Sequence, residues 1–263
     1  GIAVSRNGGQ MQRASYPAVK DVVFIGGGHT HALVLLAFAM KPLPGVRLTV
    51  INPGPAAPYT GMLPGLIAGH YTRDEIMIDL VRLARRAGAR LILDRATGID
   101  RAGQLIHLSG RPPVAYDLAS IDIGIGSDLP LIPGYSDHAV SAKPLGHYAQ
   151  AWDEFLARAL PAPNLVIIGA GIGGVELALA SHHRLTAHGA APQITLIERA
   201  AEPLPNIGQA ARASLLRHAA AAGIRFVTNA EVAEIAKDHL RLTTGEVLPS
   251  DFTLSVAGTR PQD

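Results

Sequence analysis

Two glycine clusters, each directly after a short apolar run and directly before a long one, restrict this chain more than any other feature. The first is Gly26-Gly27-Gly28-His29-Thr30-His31, between "DVVFI" and "ALVLLAFAM". The second is Gly169-Ala170-Gly171-Ile172-Gly173-Gly174, between "NLVII" and "VELALA". Val22 to Ile25 has no polar alternation and is dominated by β-branched residues, so it reads as a fully buried strand. His29 to Met40 reads as a helix buried on most sides. Val46 to Asn52 and "ARLILD" give further buried strands. Thr72 and Glu75 fit a capping box and predict a helix from Glu75 that Gly88 stops.

The same grammar returns in the second half: strand, glycine turn, helix, the strand "QITLIER", a helix stopped by Gly223, and the strand "IRFV". "GRPPVAYDLASIDIG" and "GEVLPSDFTLSVAG" extend the match, each with Gly, then Asp, then an apolar run ending in Gly. The glycine turns lie 143 positions apart (Gly26, Gly169) and these later glycines 134 apart (Gly124, Gly258). A period this long is one fold used twice rather than a solenoid. Buried strands alternating with helices predict an α/β fold with parallel sheets and helices on both faces. The expectation is two tandem Rossmann-like three-layer domains. Residues 1–138 would form the first, 139–255 the second, and 256–263 the start of a return to the first. Between the copies, Ala149 to Leu160 reads as a helix with Trp152, Phe155 and Leu156 inward.

Composition narrows the function classes. With 263 residues, 48% of them hydrophobic, the chain can bury a large core. Net charge is +2 with no basic block, which argues against nucleic acid as a partner. There is no cysteine, so disulfide scaffolds, thiolate metal sites and redox-active dithiols are excluded. The longest apolar run, Ala32 to Met40, is about half of what a bilayer span needs, and residues 1–18 lack a secretory apolar region. The expectation is a cytoplasmic globular chain with no transmembrane segment.

The second cluster carries the clearest chemistry. Gly169 permits the tight turn, Gly171 lets the backbone approach a pyrophosphate, and Gly174 lets helix and strand pack closely. The helix N-terminus then favours the anion. An acid is expected at the end of the next strand to accept from a ribose diol. Glu198 stands there, 24 residues after Gly174. The plainer alternative is an ordinary strand-to-helix turn. In the first cluster His31 replaces the third glycine, and Asn52 replaces the acid, 21 residues after His31. Asn can still hydrogen-bond a ribose hydroxyl, without charge assistance. His29 and His31 could be read as a metal pair. With no cysteine and no nearby carboxylate in sequence, histidines facing phosphate are the better reading.

In order along the chain, "GGGHTH", "PYTGMLPGLIAGHY", "ARLILDRATGID", "YDLASIDIG" and "GAGIGGVELALA" resemble the pyridine nucleotide–disulfide oxidoreductase superfamily of flavoproteins with two dinucleotide-binding domains. Within it they are most similar to the NADH-dehydrogenase-like module fused ahead of selenophosphate synthetase, and more distantly to type II NADH dehydrogenases. The resemblance spans about residues 20–261 and implies FAD in the first copy and NAD(P)H in the second. Gly26, Gly28, His29 and His31 would line the FAD pyrophosphate, Asn52 its ribose, and Ala96 its adenine. Gly124 would bring the chain back to the flavin, and Gly258 is its counterpart in the second copy. Met62, Leu63 and Pro64 match the loop beside the isoalloxazine ring, which could equally be a surface turn. Gly169, Gly171, Ile172, Gly173, Gly174 and Glu198 would hold NADH, and Glu176 matches a glutamate near the nicotinamide. Glu176 could also be a first-turn acid that suits the helix dipole.

The implied activity is hydride transfer from NADH to FAD, then to a small-molecule acceptor that is quinone-like, a small oxidant or an oxidised selenium species. The other class is a nucleotide-binding sensor or scaffold without turnover. Glu198 should repel a 2′-phosphate, which favours NADH over NADPH, with Arg199 able to offset this. Asp122 and Ile123 depart from the family's Ala-Thr. Without cysteine, a disulfide reductase or a cysteine-dependent sulfide:quinone reductase is untenable. The family continues beyond the equivalent of Asp263 with a Gly-Asp segment and an interface domain. The expectation is a chain lacking both, which holds FAD weakly and NADH normally, in which peripheral membrane contact would belong to the absent region. The assembly state stays open, with a homodimer among the options. His182, His183 and His188 read as favourable charges at a helix C-terminus, and Lys143 as an interdomain loop lysine, the alternative being an approach to flavin or phosphate.

Overall fold

A computed structural model describes residues 19–122 and 131–256. The first stretch contains β1 (Lys20–Ile25), α1 (His29–Met40), β2 (Val46–Asn52), β3 (Ala56–Pro58), α2 (Leu63–Ala68), β4 (Met77–Asp79) and α3 (Leu80–Ala87). It ends with β5 (Arg90–Leu93), β6 (Ala96–Asp100), β7 (Leu105–Leu108), β8 (Val114–Ala115) and β9 (Leu118–Ile121). The second stretch contains α4 (Tyr135–His138), β10 (Ala139–Ser141), α5 (Leu145–Ala157), β11 (Asn164–Ile168), α6 (Ile172–Ala187), β12 (Gln193–Ile197) and α7 (Gln209–Ala221). It ends with β13 (Arg225–Val227), β14 (Val232–Ile235), β15 (His239–Leu242), β16 (Val247–Pro249) and β17 (Phe252–Ser255). The chain packs as two compact units. Of the described residues, 19–27, 31–55 and 80–121 form the first; 28–30, 56–79, 122 and 131–256 form the second.

In the first unit a parallel sheet runs β5-β2-β1-β9, with Ile25 opposite Ile51 on one side and Ile121 on the other. Side-chain alternation splits its core. Val23, Ile25, Ile51 and Ile92 face Ile106, Ala96, Ile99 and Val114 of the antiparallel sheet β6-β7-β8. Phe24, Leu48 and Val50 face Leu35 of α1 and Ala87 of α3. The expected helices on both faces are therefore corrected. One face carries helices and the other a three-stranded sheet. Asp100 turns that sheet's first hairpin by accepting the Gly103 N–H at 3.0 Å.

The second unit repeats the arrangement with the order β10-β17-β11-β12-β13. Leu165, Ile167, Leu196 and Leu254 pack under α5, α6 and α7, whereas Val166 and Ile197 face Ile235, Leu240, Leu242 and Leu248 of β14-β15-β16. β9 beside β1 and β17 beside β11 are the same element in the two copies.

Two expected helices differ in extent. Thr72 and Glu75 do form reciprocal capping contacts of 3.3 and 3.4 Å, but they cap only a single 3-10 turn. Met77–Asp79 then pairs antiparallel with Ala56–Pro58, and the α-helix begins at Leu80. The cross-strand partner takes the backbone groups that a helix would have used. α5 starts four residues before the expected Ala149, because Leu145 and Tyr148 are buried on the same face as Trp152 and Phe155.

Candidate functional site

Both glycine turns are built alike. Gly26 and Gly169 have φ of 93° and 110°, in the left-handed region that favours glycine. Each donates its N–H to a carbonyl at the end of the next strand, Gly26 to Ile51 and Gly169 to Ile197, at 2.8 Å in both cases. The next residue of each turn donates to the side chain that follows. The Gly27 N–H reaches Asn52 Oδ1 at 3.1 Å, and the Ala170 N–H reaches Glu198 Oε2 at 3.0 Å. Asn52 and Glu198 are thus one structural position occupied by an amide in one copy and an acid in the other. Asn52 Nδ2 donates to the Gly54 carbonyl at 2.7 Å, and Glu198 Oε1 accepts from the Ala200 N–H at 3.3 Å. Both side chains are therefore held in place before any ligand arrives. Arg199 is paired with Glu231 at 3.1 Å.

Beyond this point the turns diverge. A Cβ on Gly174 would stand 1.9 Å from the Gly169 carbonyl oxygen, so only glycine fits there. His31 fills the equivalent place by turning inward. It is 2% exposed, with Nδ1–H donating to the Gly26 carbonyl at 2.6 Å. That leaves Nε2 to accept from the Ser120 hydroxyl at 2.8 Å in the neutral ring, a tautomer assigned from these partners. His29 stands edge-on to Tyr59, centroids 4.4 Å apart, and its buried Nδ1 has no protein partner.

The mouths also differ. A Cβ on Gly171 or Gly173 would meet nothing closer than 3.6 Å, so the start of α6 is open to a phosphate. A Cβ on Gly28 would lie 2.5 Å from Asp122 Oδ2. The second turn leaves the space in front of its helix start clear. The first has the orphaned imidazole nitrogen and the braced Asn52 that suit a dinucleotide, with a carboxylate against its middle glycine.

In the second unit, α2 packs along α6 and leaves an open cleft of about 450 Å³. Gly61, Pro64, Gly65 and Ala68 form one wall; Glu176, Leu179, Ala180 and His183, spaced along one face of α6, form the other. Pro64 and Glu176 therefore line the same cleft, whereas Met62 and Leu63 pack toward Ile76, Leu145 and Ala149. His70 closes one end, its ring 5.0 Å from that of His183. Sequence reasoning missed His70 and read His183 as a helix-end charge. The seven-residue spacing from Glu176 to His183, one helical face, was the available signal. Ile172 opens α6, and Ala96 is the first residue of β6. Gly124 and Gly258 lie outside the described residues.

The family model for pyridine nucleotide-disulphide oxidoreductases matches residues 20–263. The chain belongs to that family. Its members use FAD and NAD(P)H. It is 26% identical over 165 residues to the NADH dehydrogenase-like protein YutJ of Bacillus subtilis, covering 61% of this chain and 44% of the relative. It is 22% identical over 253 residues to a probable ferredoxin reductase, CtmF, of Castellaniella defragrans, covering 93% of this chain and 59% of that one. The ferredoxin reductase for the CYP199A2 system of Rhodopseudomonas palustris superposes with a TM-score of 0.75 at 22% identity, over 91% of this chain and 59% of that structure. The chain thus spans about half the length of the relatives it matches. No helix among the described residues is long and apolar enough to cross a membrane.

Proposed function

We propose that this chain acts as an FAD-dependent oxidoreductase that takes hydride from NADH, FAD belonging to the first copy and NADH to the second. The observation that carries the reading is the pair of matched turns, each with a polar side chain at the strand end pre-positioned by a turn N–H. FAD, when bound, supplies the redox ring that takes up two electrons as hydride. The chain's own work is binding and orientation. The open N-terminus of α6 receives the NADH pyrophosphate, and Glu198 accepts from its adenosine ribose. A carboxylate at that place disfavours a 2′-phosphate, so NADH is preferred to NADPH. Glu176 and Pro64 offer the walls against which the nicotinamide end is positioned. Asn52 addresses the FAD ribose, and His29 Nδ1 gives the flavin pyrophosphate a partner.

The acceptor is a small molecule, quinone-like or a small oxidant. The likeness of "GGGHTH" and "YTGMLPG" to modules fused to selenophosphate synthetases adds an oxidised selenium species to that class. A second reading, a nucleotide-binding sensor or scaffold without turnover, draws on Asn52 and on the carboxylate against Gly28. The two are separated by mixing FAD-loaded protein with NADH in the absence of oxygen. Turnover requires loss of the visible flavin absorbance. Flavin that stays bound and oxidised under saturating NADH leaves only the sensor or scaffold.

A further inference from the structure

We propose that Asp122 is an electrostatic gate on the first nucleotide site. Its carboxylate lies across the mouth of the first glycine turn and sets how weakly that turn holds a dinucleotide pyrophosphate. The inference rests on the reading of that turn as the FAD site.

Placement comes from the sheet. β9 runs parallel to β1 with Ile121 beside Ile25, so Asp122 and the glycine turn leave the sheet at the same carboxyl edge, where ligands of such sheets bind. A Cβ built on Gly28 would stand 2.5 Å from Oδ2, 2.8 Å from Cγ and 3.0 Å from Oδ1. All three carboxylate atoms thus lie within the space that a side chain at this position would need. In this chain, then, the room that Gly28 provides is taken by a side chain rather than left for a ligand.

The second copy is an internal control. Ser255 pairs with Ile168, and Val256, which follows it, donates its N–H to the Ile168 carbonyl at 2.9 Å. Val256 is therefore the counterpart of Asp122, at the same 134-residue offset as the rest of the strand. It is neutral, and its Cγ1 comes no closer than 3.6 Å to a Cβ built on Gly173. Nothing stands within 4 Å of one on Gly171. Besides the His31 and Asn52 substitutions, the two turns thus differ at this position, which is apolar and set back in one copy and acidic and close to the turn in the other.

The start of α1 favours negative charge, and Asp122 already supplies one there. A pyrophosphate at the same place brings like charges within a few ångströms in a partly desolvated setting, where repulsion is far stronger than in water. The gate is thus selective. It opposes anionic phosphate at the first turn and leaves the second turn untouched.

The test is an equilibrium titration of the whole chain with FAD, read by flavin fluorescence, in the wild type and in Asp122→Asn and Asp122→Val. The first variant removes charge at constant shape, and the second installs the residue of the other copy. Both should lower the FAD Kd by about tenfold or more, and added salt should shrink the difference from wild type. NADH affinity should be the same in all three, which also reports that the variants fold. Unchanged or weaker FAD binding by Asp122→Asn overturns the gate, whatever Asp122→Val does, and leaves the flavin reading standing. Failure of all three chains to bind FAD while each binds NADH overturns the flavin reading, and the gate with it.

Discussion

At the scale of single residues, the second turn concentrates the consequences. Glu198 is braced by the Ala170 and Ala200 N–H groups, one on each oxygen, so Glu198→Gln removes the charge and keeps one of the two braces, its NH2 facing the other donor. The proposed preference for NADH over NADPH should narrow by about tenfold, the difference between charge-assisted and neutral hydrogen bonding to the ribose. Paired Kd measurements for the two nucleotides would check it, and an unchanged ratio would mean that Glu198 does not read the ribose. Gly174→Ala forces a methyl to within 1.9 Å of the Gly169 oxygen, a backbone atom that cannot step aside. It should destabilise the second unit by about 3 kcal/mol or more in a denaturant titration, a clash on the scale of severe overpacking. Tyr148 behaves differently. It is fully buried beside the Ser181 hydroxyl, which offers it no well-formed hydrogen bond, and burial pushes its ionisation well up, so the phenol stays neutral. Tyr148→Phe removes only this poorly bonded hydroxyl and should change stability by no more than about 1 kcal/mol.

At the scale of elements, α2 is the piece whose position the cleft depends on. Ile67 is fully buried, and its carbonyl accepts from Trp152 Nε1 at 3.2 Å. Ile67→Ala should cost about 2–5 kcal/mol. Trp152 is the chain's only tryptophan, so its fluorescence reads that loss directly. β1 and β2 carry a different bracket. Arg47 holds both oxygens of Asp21, its cross-strand partner, at 2.6 and 2.9 Å. The hydrogen bond from Arg47 keeps the Asp21 carboxyl below its usual range. A carboxyl depressed in the folded state stabilises fully above its unfolded value, and that contribution is lost as pH falls through the folded one. Arg47→Gln should therefore cause a small loss at neutral pH that vanishes in acid. Elements with a strong period were legible in advance: β1, α1, β2, β11 and α6 follow from continuous apolar runs abutting glycine. The two antiparallel layers were not, because strands of two to five residues such as β8 and β16 present too few alternations to register. The early helix start at Glu75 came from a real capping box whose following segment pairs with β3 before the helix begins at Leu80. The cleft was half legible. Pro64 and Glu176 were singled out separately, but only packing brings α2 to α6, and with it His70 to His183.

At the scale of the whole molecule, the repeat is the organising fact. Each unit closes its own core around a parallel sheet, helices on one face and three antiparallel strands on the other. Because Trp152 lies in the core of the second unit, NADH should raise the stability read by its fluorescence, by about 2.7 kcal/mol at a hundredfold excess over Kd. Gly171→Glu, which places a carboxylate where nothing now stands within 4 Å, should abolish that gain without lowering the ligand-free stability to the same degree. One fold used twice as two separate nucleotide sites is the central claim, and calorimetric titration of one chain with both ligands tests it most directly. FAD and NADH should each bind at one site per chain, and neither should displace the other when the second is added to protein saturated with the first. Mutual displacement, or a single shared site, would contradict the account.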